Sequence, residues 1–95
     1  MPEVAAYTEK QRKAAENAIY IDDGACNVSG IANALHEAAA AWLEAESGTD
    51  KANTCAPVKL IMHQLNWLVF RKDDCMTHEE WVRAREECKK IAGGN

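Results

Sequence analysis

The sequence predicts an all-α protein, a compact bundle of about four helices, and three observations predict it. Alanine is the commonest residue, while the β-branched and aromatic residues that favour strands are few. Gly and Pro together supply only seven of 95 residues, too few for a loop-rich scaffold or a disordered chain. Finally, apolar residues recur in steps of three and four behind residues suited to start a helix.

The helices are expected at approximately 8–20, 28–46, 57–71 and 78–92. Thr8-Glu9-Lys10-Gln11 has the form of a capping box, in which the Thr hydroxyl and the Gln amide each satisfy a backbone N–H. The helix behind it puts Ala14, Ala15, Ala18 and Ile19 on one side, and Asp22-Asp23-Gly24 breaks it. Asn27 caps the second helix. Val28, Ile31, Leu35, Ala38, Trp42 and Ala45 form its stripe, Ala32, Ala39 and Leu43 widen it, and Ser47-Gly48 ends it. Pro57 suits the first turn of the third helix, whose stripe reads Val58, Ile61, Met62, Leu65, Leu68 and Val69. Leu60, Trp67 and Phe70 add apolar surface on its flanks, and a helix apolar over more than half its circumference is central or part of an interface. Thr77-His78-Glu79-Glu80 is a second capping box, with Met76 able to staple onto Trp81. Trp81, Ala84, Cys88 and Ile91 then face the core, and Gly93-Gly94 stops the chain. At this length, residues 1–95 make one domain.

No signal peptide is expected, because Met1-Pro2-Glu3 begins acidic and no apolar stretch follows. The longest apolar run, Leu60 to Phe70, is interrupted by His63, Gln64 and Asn66 and is too short for a bilayer. A cytoplasmic protein with no membrane contact is therefore expected, its cysteines reduced. Cys26, Cys55, Cys75 and Cys88 contain no C-x-x-C pair. Cys75, His78 and Cys88 supply too few close pairs for zinc, so no metal and no cofactor are expected.

The net charge of −4 is unevenly spread. Residues 22–50 carry Asp22, Asp23, Glu37, Glu44, Glu46 and Asp50 and not one Lys or Arg. Such a segment suits an acidic surface that docks on a basic one. Its plainer reading is a solvated helix face with acidic loops. Direct nucleic-acid binding is not expected, since the third helix is apolar and the fourth opens with Glu79-Glu80. The basic residues of the fourth helix are interleaved with acids and suit pairs such as Glu86–Lys90.

Nothing assembles a catalytic constellation. His36-Glu37 lacks the second histidine of a zinc-protease motif, because residue 40 is Ala. There is no phosphate-binding glycine loop and no G-x-S-x-G. A non-enzymatic role is expected. Two surfaces are candidates: the acidic one just named, and an apolar interface through Leu60, Trp67 and Phe70, which would also serve a homodimer through the third helix. The alternative is an oligomeric binder or sponge of small, nucleotide-type ligands, with His63, Gln64 and Asn66 lining a polar pocket.

Asn27-Val28-Ser29-Gly30-Ile31, then Leu35-His36-Glu37-Ala38, and later Gly48-Thr49-Asp50 with Asn53 and Pro57-Val58 through Leu65, resemble small helical proteins of bacteriophages, prophages and mobile elements. The likeness covers roughly residues 18–68. It implies the cytoplasm of a bacterial host cell. It also implies action by occupying a host protein or protein complex, as inhibitors of bacterial defence systems such as anti-CRISPR proteins do. It transfers no site residue.

Overall fold

The computed structural model describes residues 7–24, 27–45, 55–70 and 76–93. They form four helices and no strand: α1 (Glu9–Asp22), α2 (Val28–Leu43), α3 (Ala56–Phe70) and α4 (His78–Gly93). Local chemistry sets three of the four starts. Thr8 Oγ1 accepts from the Gln11 N–H at 3.1 Å and Gln11 Oε1 accepts from the Thr8 N–H at 2.9 Å, closing the first capping box. The Thr77–Glu80 pair repeats it at 3.1 and 2.8 Å. Asn27 Oδ1 accepts from the Gly30 N–H at 2.8 Å. Each bond satisfies a donor that a helix start otherwise leaves open, a contribution of about 1 kcal/mol.

The ends depart slightly from expectation. Asp22 belongs to α1 instead of breaking it, and the stop falls at Gly24, whose φ of 96° suits glycine and whose N–H bonds to the Ile21 carbonyl. α2 ends at Leu43, with Glu44 as its C-cap. The Ser47-Gly48 stop lies outside the described residues.

α1 packs on all three other helices, α2 and α4 each pack on α3, and no comparable packing joins α2 to α4. The bundle is thus flattened, with α1 and α3 across its short diagonal. Lys10 at the start of α1 meets Glu44 at the end of α2, so these two helices run antiparallel, and Asp22 at the end of α1 meets Arg85 midway along α4. The radius of gyration is 12.8 Å, close to the value of about 12–13 Å expected of a folded domain this long.

Nine of the fifteen buried apolar residues described are alanine. Small side chains let helices approach closely but withdraw little surface from water, so most hydrophobic stabilisation falls on Ile21, Ile31, Leu60, Ile61 and Ile91. The α3 stripe is turned from its expected position. Pro57, Leu60 and Ile61 are fully buried, while Met62 and Val69 are 47% and 49% exposed. An almost wholly apolar helix carries no periodicity that fixes its inward side, and packing against α1, α2 and α4 decides it. In α2, Ala34 and Ala41 join Ile31 and Ala38 in the core, whereas Val28 and Leu43 are exposed.

Candidate functional site

The acidic segment does not form one open surface. The Asp22 side chain is only 1% exposed. It therefore leaves the surface proposed for it from sequence. One of its oxygens accepts from Gln64 Nε2 and from Trp81 Nε1, both at 2.9 Å, and the other from Arg85. Three donors from α3 and α4 thus converge on one carboxylate at the C-terminal end of α1. A negative charge opposes the helix dipole there, and α1 has no basic residue in its last turn. Arg85 supplies the missing cation from another helix. Hydrogen bonding to Asp22 holds its guanidinium above an already high pKa, making it a permanent charge. Arg85 also reaches Asp23 at 3.2 Å and lies 5.5 Å from the Trp81 ring centre, against which His78 is tilted.

Glu44 pairs with Lys10 at 2.7 Å on the surface. Glu37 is exposed. Glu46 and Asp50 lie outside the described residues. Of the four described acids, one is buried and two are neutralised by neighbours, which leaves little field to steer a basic partner. The expected Glu86–Lys90 pair is replaced by Glu87–Lys90 at 3.9 Å.

The apolar set also divides. Leu60 is fully buried and cannot be part of an exposed interface, because the turn of α3 described above carries it into the core. Trp67 is 46% exposed, as the sequence led one to expect. The Phe70 side chain lies outside what is described. Met62 and Val69, assigned from sequence to the core, join Trp67 on the outside. Beside Met62 runs a groove of about 510 Å³ between α3 and α4. Val58, Met62, Met76 and Ala84 supply its apolar surface, Cys55 closes one end, and Lys59, Glu80, Arg83 and Glu87 supply its charges. A shallower groove of about 240 Å³ lies between α1 and α2, against Asn17, Tyr20 and Glu37. The α3–α4 groove escaped sequence reasoning because it depends on how two helices lie together. One signal was available: Lys59 is the only Lys, Arg, Asp or Glu between Ala56 and Phe70.

Of the trio His63, Gln64 and Asn66, Gln64 is turned inward and donates to Asp22. Among the described residues no three His, Cys, Asp or Glu side chains gather as a metal would require, and no helix is long and apolar enough to cross a membrane. Burial, reinforced by the Asp22 charge, pushes the Cys88 thiol up to about 12, so it carries no thiolate at neutral pH and is no nucleophile. The same burial has a consequence for stability. Below pH 9 the thiol is protonated whether folded or not. Above it, the unfolded chain loses a proton that the folded chain keeps, so alkali favours unfolding. Stability should fall steadily from this group alone between roughly pH 9 and 12. Urea unfolding at several alkaline pH values should show a shallower decline for Cys88→Ala than for the parent; equal slopes would remove the assignment.

No family model matches the chain, and no curated protein or solved structure proved similar to it.

Proposed function

We propose that this chain is a non-enzymatic binding protein that acts by covering a surface of a larger host-cell protein, with the outward side of α3 as the centre of contact. One observation carries the reading: Met62 and Val69, seven residues apart and so on one side of the helix, are each about half exposed, as is Trp67 on its other flank, on a fifteen-residue helix whose single formal charge is Lys59. Exposed apolar patches with a charged rim mark interaction surfaces. Aromatic and methionine side chains are enriched at such contacts. The resemblance to small phage and mobile-element proteins adds the setting: a bacterial cytoplasm and a host target, with inhibition of a defence complex as its sharpest form. The acidic segment is secondary in this reading, because Asp22, Asp23 and Glu44 are already engaged within the chain.

A photo-crosslinking residue placed at Met62, expressed in bacteria, should capture one protein in a single adduct. Val69→Lys should abolish that adduct. The same residue placed at Lys13, exposed on α1, should capture nothing in common with it. Identical adduct patterns from the two positions would refute the reading. A homodimer would use the same side of α3. Light scattering at low and high protein concentration separates it from a partner complex.

A further inference from the structure

The geometry points to the α3–α4 groove as a docking site for an amphipathic helix that brings aliphatic side chains together with a carboxylate. The inference rests on the binding role proposed above and names the chemistry of the partner. The groove holds two acids and two bases, but they are not equally available. Glu80 accepts the Thr77 N–H at 2.8 Å as part of the capping box of α4, and Glu87 lies 3.9 Å from Lys90. The side chains of Lys59 and Arg83 are exposed and, among the described residues, take part in no ion pair or hydrogen bond. The charges left without a partner for an occupant to meet are therefore the cations Lys59 and Arg83, although the chain as a whole stands at −4.

Between those cations lies an apolar surface of Val58, Met62, Met76 and Ala84. Methionine is flexible and polarisable, and adapts to whatever aliphatic shape it meets. The lining spans Cys55 to Met62 along α3, about 10 Å at 1.5 Å per residue. That is two helical turns, the reach of anchors at i, i+4 and i+7. A volume of about 510 Å³ accommodates aliphatic side chains of that number. A carboxylate at the edge of such a helix would meet Lys59 or Arg83, and Arg83 can hold it with two hydrogen bonds.

Two short helical peptides test this, alike in leucines at i, i+4 and i+7 and differing only in Glu or Lys on the flanks. Binding is read from the isotope-labelled methyl signals of Met62 and Met76. The Glu peptide should bind about tenfold more tightly than the Lys peptide, against the preference that net charge alone would produce. Lys59→Glu with Arg83→Glu should reverse the order, and Lys13→Glu with Lys89→Glu, the same charge change elsewhere, should not. Equal binding, or tighter binding of the Lys peptide, overturns the proposal. So does a methyl shift that grows with protein concentration alone, which makes a second copy the occupant. Binding of decanoate as tight as that of the Glu peptide also overturns it, in favour of a small amphiphile. If the peptide preference fails while the Met62 crosslink to a host protein persists, the α3 surface stands and the carboxylate-bearing helix does not.

Discussion

Asp22→Asn should lower the stability of the domain by about 3 kcal/mol or more, the usual cost of removing one member of a buried ion pair. The amide retains one acceptor for Gln64 and Trp81. Its NH2 would then face the Arg85 guanidinium, donor against donor. Arg85, one-fifth exposed, can turn partly toward water and Asp23, which places the loss at the lower end of the range. On a domain of this size such a loss should lower Tm by more than about 10 °C, measured by thermal and urea unfolding. Replacing the charges together, Asp22→Leu with Arg85→Met, should recover only part of the loss: the desolvation of both ions disappears with their attraction, but Gln64 and Trp81 are left without their acceptor. A loss for Asp22→Asn under about 1 kcal/mol would show that the cluster ties the helices together only weakly.

Leu60→Ala should cost about 2–5 kcal/mol, since Leu60 is fully buried among side chains too small to collapse into the space it leaves. Trp67→Ala, though it deletes a larger side chain, should cost less than Leu60→Ala, because nearly half of the residue is in water already and its removal leaves no closed cavity. The two substitutions should weaken partner capture for different reasons: Trp67→Ala by more than its loss of stability accounts for, Leu60→Ala only as far as the fold is lost. Urea midpoints measured beside the Met62 crosslinking yield decide this. A large stability loss from Trp67→Ala would return that side chain to the core.

The helices and their starts were legible because capping is local. Thr8 with Gln11, Asn27 with Gly30, and Thr77 with Glu80 are each three residues apart, within the span that a sequence displays directly. The core faces of α1 and α4 were legible for a related reason: both helices mix charged and apolar residues, and the mixture marks the inward side. α3 has almost no charge to mark it: Ile61 is in the core and Val58, Leu65 and Leu68 pack against it as expected, but Met62 and Val69 are exposed and Leu60 is buried in their stead. The acidic segment misled for another reason. Whether an aspartate faces water or a partner is decided by residues 42, 59 and 63 positions away, in Gln64, Trp81 and Arg85. No pattern within one helix carries that information, and the α3–α4 groove is hidden in the same way.

The carboxylate of Asp22 fastens α1 to α3 and α4 but touches nothing in α2. α2 adds Ile31 and a row of alanines to the core and does not pack on α4. Cooperativity is therefore uneven across the bundle. Hydrogen exchange should show α1, α3 and α4 opening together and α2, which the cluster does not fasten, opening at a lower free energy; equal protection in all four helices would overturn this.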